Sequence, residues 1–366
     1  MIRVAVTLLQ CWHRTPGGTA ISAIEQARAV AATGEVDLVG VGPWNRSLPP
    51  EPWTPPVPVR HLPLPYQAVY DGWHRIGLPP VQLVTGKVDL VHATTVTVPP
   101  RWRGTPVVVT VHDTFPLTDP DRFTKRGARL MGRGLELARN ADLVIVASQF
   151  TAAACRDAGF DDDRMVVVPW GVAAVTPGPD AIAAALRRHR LDRPFLLWVG
   201  TVEPRKNLEV LLSAVARLEH RDVDLVIAGP DGWQVDLDAL VAPVRDRVRT
   251  VGFLPPAELS ALYAAAELLC LPSHAEGFGL TALEAMVQGT PVIGSDTSSI
   301  PEVVGDTGIL VDPTDVEAWS GAIDALVGDD TRRAELGARA AERAAGFTWE
   351  RCARSTVDAY RRVLGG

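Results

Sequence analysis

The feature that most constrains this chain is a stretch near residue 280 in which an apolar run, a glycine-containing loop and an amphipathic segment follow one another. The stretch from Cys270 to Asp296 reads CLPSHAEGFGLTALEAMVQGTPVIGSD. The apolar run 267–271 ends in Pro-Ser-His, and apolar residues then recur at helical spacing until Gly289-Thr-Pro291 ends the helix. A further strand begins at Pro291. This order predicts a βαβ unit, which is built on a parallel sheet.

The loop of this unit is suited to binding an anion. Ligands of open α/β sheets bind at the carboxyl ends of strands, and a helix amino end offers unpaired N–H groups and about half a positive charge. Gly277 and Gly279 let a phosphate approach the backbone closely. Glu276 and Glu284 flank this position, and the helical rise of ~1.5 Å per residue separates them by roughly 12 Å. One acid could hold a sugar and the other a ribose; solvated surface acids are the alternative.

The stretch resembles the donor site of glycosyltransferase family 4. Glu276 and Glu284 match the E-x7-E pattern of retaining GT-B glycosyltransferases, and EGFGLTALEAMVQGTPVIGSD is similar to the family signature. The resemblance implies an α/β GT-B fold, in which two Rossmann-like domains face each other across a cleft. It also implies a nucleoside diphosphate sugar donor, held mostly by the C-terminal domain, with no required metal and no cofactor. The donor contacts it implies here are Glu276, Gly277, Phe278, Gly279, Leu280 and Glu284.

Length and composition agree with two globular domains. The chain has 366 residues, 47% of them hydrophobic and 22% charged. Its net charge of −7 argues against a nucleic-acid partner. The four cysteines lie far apart without a C-x-x-C pair, which indicates reduced thiols of a cytoplasmic protein. The amino-terminal apolar run is too short for a signal peptide, and no window approaches 18 uninterrupted apolar residues, so we expect no membrane-spanning helix.

The first half of the chain predicts one Rossmann-like domain. A strand over 3–9 precedes a loop with Gly17 and Gly18 and an alanine-rich helix, but no G-x-G-x-x-G is present, which disfavours a dinucleotide. The resemblance implies that this loop faces the donor phosphates or the acceptor; a tight turn is the alternative. Apolar runs at 89–93, 106–111, 142–147 and 165–169 predict buried strands. His112 follows the second of these, and the resemblance implies that it lines the donor sugar.

Two segments of the first half have unusual compositions. Residues 43–80 contain eleven of the thirty prolines, which predicts surface loops with one short strand near 59–64. Residues 122–139 contain six basic residues and one acid, Glu136. This segment could make a peripheral contact with anionic lipid if the acceptor is membrane-bound. A solvated helix face is the alternative, and three glycines weaken the helix.

The second half begins after the linker signal Thr176-Pro-Gly-Pro179. A strand over 195–199 leads to the loop GTVEPRKN and a helix, at whose amino end Arg205 and Lys206 could clamp a diphosphate. Lys206 matches the family pattern, whereas Thr201 replaces its arginine and Arg205 its glutamate. Phe253 and Leu254 match positions whose backbone contacts the nucleotide base in similar enzymes. A serine pair at 298–299 stands where many members have glycines.

These inferences combine into one prediction. We expect an N-terminal acceptor domain over 1–172, a C-terminal donor domain over 173–348, and a last helix, 349–366, that crosses back to the first domain. The expected activity is retaining transfer of a hexose, with GDP-mannose the preferred donor, to a hydroxyl of a glycan, lipid-linked or small-molecule acceptor. The expected catalytic residues are His112, Arg205, Lys206 and Glu276. A catalytically idle sugar-nucleotide-binding protein and a nicotinamide-dependent oxidoreductase are the alternatives, and the latter lacks its dinucleotide loop.

Overall fold

A computed structural model describes residues 1–14, 16–173, 175–232 and 234–365. The chain divides into two compact units. The first contains residues 1–171 together with the chain from Thr348 onward, and the second contains residues 172–347. Each limit lies one residue before the limit expected from the sequence. No helix in the described ranges is long and apolar enough to cross a membrane.

The first unit is built on a parallel sheet. Its strands are β1 (Ile2–Thr7), β2 (Val36–Gly42), β3 (Val59–His61), β4 (Leu90–Ala93), β5 (Val107–Val111), β6 (Leu143–Val146) and β7 (Met165–Val167). Within the described residues, the seven strands lie in the order β3-β2-β1-β4-β5-β6-β7 and every neighbouring pair is parallel. The aliphatic runs of β5 and β6 are buried throughout, as expected for strands covered on both faces.

Helices connect these strands. They are α1 (Gly17–Ala32), α2 (Tyr66–Arg75), α3 (Gln82–Thr85), α4 (Phe115–Thr118), α5 (Lys125–Ala138) and α6 (Gln149–Asp157). Side chains cap two of them: Thr124 Oγ1 accepts a hydrogen bond from Gly127 N at 3.1 Å, and Ser148 Oγ accepts one from Thr151 N at 3.0 Å.

Three details of the first unit differ from the sequence predictions. β1 ends at Thr7, because residues 9–12 form a 3-10 turn. The proline-rich segment contains the helix α2, which starts directly after Pro65, where proline cannot interrupt it. The glycines of α5 do not prevent a helix, and one of them is required by packing. A Cβ at Gly134 would lie 2.1 Å from the carbonyl oxygen of Val96.

The second unit repeats the plan of the first. Its strands are β8 (Phe195–Val199), β9 (Asp224–Ala228), β10 (Val248–Gly252), β11 (Leu268–Leu271), β12 (Val292–Ser295) and β13 (Ile309–Val311). In the described part of this unit the sheet order is β10-β9-β8-β11-β12-β13, again parallel. Its helices are α7 (Pro179–His189), α8 (Leu208–Arg217), α9 (Leu237–Val241), α10 (Pro256–Ala265), α11 (Leu280–Val287), α12 (Ile300–Val304), α13 (Val316–Val327) and α14 (Asp330–Ala344).

The last helix, α15 (Trp349–Leu364), belongs to the first unit. Gln26 Nε2 in α1 donates a hydrogen bond to Thr356 Oγ1 at 3.0 Å. His92 Nδ1 in β4 lies 2.8 Å from the hydroxyl of Tyr360, and both side chains are buried. Buried polar side chains require such partners, so these hydrogen bonds fix where the helix lies on the sheet.

Both units are Rossmann-like α/β domains, as the sequence predicted. In each, the strand order reverses once, between β1 and β4 in the first unit and between β8 and β11 in the second. Ligands of open α/β sheets bind at such switch points, beyond the carboxyl ends of the strands. In the second unit, the loops at this point are residues 200–207 and 272–279, which contain Arg205, Lys206 and Glu276.

Candidate functional site

The carboxylate of Glu276 is the centre of a buried cluster of charges in the second unit. The residue is 8% exposed. Lys206 Nζ donates to its Oε1 at 2.7 Å, Arg205 Nη1 donates to its Oε2 at 3.0 Å, and Ser273 Oγ donates to Oε1 at 2.7 Å. Burial by itself raises the pKa of Glu276, but the charges of Lys206 and Arg205 and the hydrogen bonds from Lys206 and Ser273 outweigh it and lower the pKa to about 2. The carboxylate is therefore ionised at neutral pH.

The backbone of Glu276 is held by the serine pair that precedes α12. Ser298 Oγ accepts a hydrogen bond from Glu276 N at 3.0 Å, and Ser299 Oγ donates one to Glu276 O at 2.8 Å. Ser298 has φ +58°, the left-handed region that favours glycine. The serine hydroxyl therefore supplies a hydrogen bond to Glu276 that glycine at this position could not supply.

Arg205 has partners on several sides. Its Nη2 donates to Glu203 Oε1 at 2.5 Å, its Nη1 also donates to Ala275 O at 2.6 Å, and its carbonyl oxygen accepts from His274 N at 2.9 Å. The sequence placed Arg205 and Lys206 at the amino end of a helix, and the structure corrects this. They lie in a 3-10 turn, Pro204–Lys206, that ends before α8 because Asn207 adopts a left-handed conformation. That turn aims both cations at the loop after β11.

The amino end of α11 lies directly after this loop. Gly279 precedes the helix with φ +104°, and among the described residues no side chain caps the helix. A Cβ at Gly279 would make only ordinary van der Waals contact, with Val303 at 3.8 Å, so no neighbouring atom crowds this position. Gly277 and Leu280 are partly exposed here. Phe278 is buried, and its ring packs against that of Phe347.

Glu284 lies inside α11 and is not a solvated surface acid. Tyr263 Oη in α10 donates a hydrogen bond to Glu284 Oε2 at 2.9 Å. Burial raises the pKa of Glu284 above its usual value, and the hydrogen bond from Tyr263 and the charge of Lys206 offset part of that rise. The same lysine therefore influences both glutamates of the E-x7-E pattern.

Phe253 and Leu254 follow β10, which lies two strands away from β8. Phe253 is 49% exposed and Leu254 is buried. Gly229 N donates a hydrogen bond to Gly252 O at 2.8 Å, which ties this loop to the loop after β9. The structure thus places this predicted base contact at the same edge of the sheet as Glu276 but outside its charge cluster.

The remaining predicted residues lie in the first unit. His112 follows β5, and its Nε2 donates to Thr94 O at 2.9 Å. Because burial lowers its pKa, the ring is neutral and Nδ1 carries a lone pair. Gly17 and Gly18 begin α1, at the switch point between β1 and β4. A Cβ at either glycine would meet nothing within 4 Å, and only Gly17, with φ +67°, requires glycine for its conformation.

Sequence reasoning missed three contributors to the site: Glu203, Ser273 and Tyr263. Glu203 and Ser273 lie within three residues of Arg205 and Glu276, but their roles depend on how the two loops meet. Tyr263 lies on a different helix from Glu284, and no local pattern connects them. The described residues contain no group of three or more histidine, cysteine, aspartate or glutamate side chains arranged to hold a metal ion.

Comparison with family models identifies both halves of the chain. Residues 16–175 match the model described as Glycosyltransferase Family 4, and residues 184–343 match Glycosyl transferases group 1. O-antigen chain mannosyltransferase B of Escherichia coli is 35% identical over 265 residues, which are 69% of this chain and 70% of that protein. D-inositol 3-phosphate glycosyltransferase of Nocardia farcinica is 36% identical over 56% of this chain, and the match spans about half of that relative, 49%.

Solved structures share the fold along the whole chain. Sucrose-phosphate synthase from Thermosynechococcus elongatus has a TM-score of 0.80 at 22% identity, covering 100% of both chains. Anabaena HepE in complex with UDP-glucose has a TM-score of 0.76 at 20% identity, covering 99% of this chain and 100% of that one. Two Rossmann-like domains that match these models and structures define a glycosyltransferase with the GT-B fold. The chain belongs to glycosyltransferase family 4.

Proposed function

We propose that this glycosyltransferase moves a hexose from a nucleoside diphosphate sugar to a hydroxyl acceptor with retention of configuration. The observation that carries the proposal is the ionised carboxylate of Glu276, buried between Lys206 and Arg205 beside the amino end of α11, which no side chain caps among the described residues. A helix end and a lysine attract phosphate. A carboxylate next to them repels phosphate but accepts hydrogen bonds from sugar hydroxyls. A ligand that carries both groups suits this arrangement.

The proposed roles follow from the contacts of each side chain. Glu276 accepts hydrogen bonds from the transferred sugar, and Glu284 accepts them from the ribose. Lys206 stabilises the diphosphate as negative charge grows on it. His112 is neutral and has a lone pair on Nδ1, and the family resemblance implies that it lines the transferred sugar. The backbone of Phe253 and Leu254 contacts the base, and the Gly17-Gly18 end of α1 receives phosphate or acceptor.

A front-face reaction is the simplest mechanism for this set of residues. Both oxygens of Glu276 are hydrogen-bonded, and Glu284 has a raised pKa, so neither is placed as a covalent nucleophile. The bond between the anomeric carbon and the diphosphate oxygen breaks, and the acceptor oxygen bonds to the same face of that carbon. The acceptor proton passes to the departing diphosphate.

The preferred donor is GDP-mannose, and the acceptor belongs to polysaccharide, glycolipid or secondary-metabolite assembly. The relative that supports mannose is the O-antigen chain mannosyltransferase. We place the enzyme in the cytoplasm because its four cysteines are free and buried. The contact of residues 122–139 with a membrane surface, expected if the acceptor is lipid-linked, is part of this proposal.

A thermal-shift panel of GDP-, UDP-, ADP- and dTDP-hexoses tests the donor. The correct sugar nucleotide should stabilise the protein by about 2.7 kcal/mol at 100 times its Kd. Retention is checked by NMR of the product formed at early times, whose anomeric configuration should equal that of the donor. Stabilisation by none of the sugar nucleotides would refute the donor class, and an inverted product would refute retention. If the protein binds the donor but neither hydrolyses it nor transfers its sugar, the catalytically idle alternative is favoured.

A further inference from the structure

We infer that two loop tips, residues 75–78 and 101–103, join α5 in a single membrane-binding face whose partner is an anionic lipid bilayer. We call these three segments the basic face. The inference rests on the proposed membrane contact of residues 122–139 and extends it, because the apolar part of the contact comes from loops distant in sequence. It does not depend on which donor the enzyme uses.

The loop tips expose large apolar side chains to solvent. Ile76 is 72% exposed and Leu78 50% exposed, in a loop whose four residues, Arg-Ile-Gly-Leu, all lie at the surface. Trp102 is 39% exposed between Arg101 and Arg103, and the guanidinium of Arg103 lies 5.6 Å from the centroid of its ring. An exposed apolar side chain flanked by cations is the composition of segments that enter the interface of a membrane.

The first tip is attached to α5 by its preceding helix. Asp71 in α2 forms an ion pair with Arg126 in α5 at 3.4 Å. Arg133, seven residues further along α5, donates from Nε to the carbonyl oxygen of His74 at 3.4 Å. These contacts place the end of α2, and the Ile76–Leu78 tip that follows it, beside the basic helix.

The second tip is attached to the other end of α5. Arg101 Nη2 donates to the carbonyl oxygen of Asn140, just past the last turn of the helix, at 3.1 Å. The two tips also adjoin each other, since a Cβ at Gly77 would lie 3.8 Å from the Cβ of Pro100. Both apolar tips and the helix are therefore neighbours in the first unit.

The charge of this face opposes that of the whole chain. Its three segments carry seven lysine or arginine residues and one acid, Glu136, in a protein of net charge −7. Lys125, Arg126, Arg129 and Arg133 of α5 are all exposed. Asp71 and Asp142 neutralise part of this charge through ion pairs with neighbouring arginines, and an excess of cations remains. Such an excess attracts a surface of anionic lipid.

The apolar tips favour a bilayer over a soluble polyanion. A polyanion is bound by cations alone, and exposed isoleucine, leucine and tryptophan add nothing to that interaction. In a bilayer, the same side chains leave water when the cations meet the headgroups, so both halves of the face contribute.

Co-sedimentation of the full-length protein with vesicles tests the inference. Phosphatidylcholine vesicles with and without phosphatidylglycerol are compared at low and high salt. We expect binding only with phosphatidylglycerol, weakened by salt. A charge variant, Lys125→Gln with Arg126→Gln and Arg129→Gln, should bind on the order of 100-fold more weakly, since each cation contributes about fivefold. A tip variant, Ile76→Ser with Leu78→Ser and Trp102→Ser, should bind about tenfold more weakly.

A matched control removes three exposed arginines of the second unit, Arg187→Gln with Arg217→Gln and Arg332→Gln, and should bind like the wild type. Circular dichroism melting checks that each variant is folded. Binding by the tip variant equal to the wild type would overturn the inference and leave α5 alone as the contact. Equal binding to both vesicle types would overturn the inference of an anionic lipid partner. Binding to neither type would overturn it together with the proposed membrane contact. If the wild type and the tip variant both bind an acidic polysaccharide equally and neither binds vesicles, the partner of the basic face is a soluble polyanion.

Discussion

At the scale of single residues, Glu276 and Glu284 should contact different parts of one ligand. Glu276→Gln is expected to weaken binding of the intact sugar nucleotide by about 1.5–3 kcal/mol. It should hardly change the affinity for the free nucleoside diphosphate, which lacks the sugar. Glu284→Gln should weaken binding of both ligands by a similar amount. Calorimetric titration of both variants with both ligands measures the difference. A Glu276 variant that loses affinity for the free diphosphate as strongly as for the donor would refute the assignment. Glu335→Gln, at an exposed position of α14, is the control.

Two adjacent cations should behave differently when removed. Lys206→Ala should lower kcat by an amount worth on the order of 2–4 kcal/mol in the barrier, with a smaller change in donor Kd, because charge accumulates on the diphosphate as it departs. Arg205 is bound to Glu203, Ala275 and Glu276, so Arg205→Gln should reproduce the Glu276→Gln pattern. If the Arg205 variant instead loses equal affinity for the donor and for the free diphosphate, the guanidinium is a direct phosphate ligand.

The ionisation of Glu276 should make folding stability depend on pH. Its pKa of about 2 in the folded protein lies below the ordinary value of 4.5, so the folded state favours the ionised form. This stabilisation is complete above the unfolded pKa and declines as pH falls from 4.5 towards 2. The free energy of unfolding of the wild type minus that of the Glu276→Gln variant should therefore decrease by roughly 2 kcal/mol between pH 6 and pH 3. Urea unfolding at each pH measures it, and a difference independent of pH would contradict the charged pairing.

At the scale of elements, the junction between the loop after β11 and α11 depends on Gly279. Its φ of +104° is strained for any residue with a Cβ, whereas a Cβ there would make only ordinary van der Waals contact with Val303. Gly279→Ala should therefore destabilise the protein by about 1–2 kcal/mol and weaken donor binding, because the helix end shifts. Gly321→Ala is the matched control. That glycine is exposed inside α13, and alanine there should stabilise the helix by about 0.5–1 kcal/mol. Equal effects of the two changes would refute the conformational argument.

The elements also differ in how far the sequence predicted them. The strands β5, β6 and β8 were recognisable because they are buried on both faces and read as unbroken apolar runs. α15 was expected from the resemblance to the GT-B fold, which implies a last helix that returns to the first domain, and the structure has this helix at Trp349–Leu364. α2 was missed, because the prolines around it concealed a ten-residue helix that begins after one of them. α5 was underestimated, because one of its glycines, Gly134, is required for close packing against Val96.

At the scale of the whole molecule, the enzyme should work without a divalent metal. We propose that Lys206 and the amino end of α11 stabilise the charge of the diphosphate. The described residues contain no group of three or more histidine, cysteine, aspartate or glutamate side chains that could hold a metal ion. Turnover with the donor found by the thermal-shift panel should persist in EDTA. Loss of activity on chelation, restored by magnesium or manganese, would show that the charge on the diphosphate is neutralised by an ion.

The sequence by itself determined the two Rossmann-like domains and the loop that carries Glu276. Strand runs, helical spacing and glycine-bounded loops are local, and parallel sheets bind ligands at a predictable edge. Only the tertiary structure decided which partners the charged residues have and how their pKa values shift. The sequence suggested two cations free to clamp a diphosphate, yet folding brings them to Glu276 across some seventy residues and binds Arg205 to Glu203 as well. Glu284 likewise acquires a raised pKa from burial and a partner in Tyr263. The pKa of a group and the partners it has depend on distances across the fold, which no local pattern in the chain encodes.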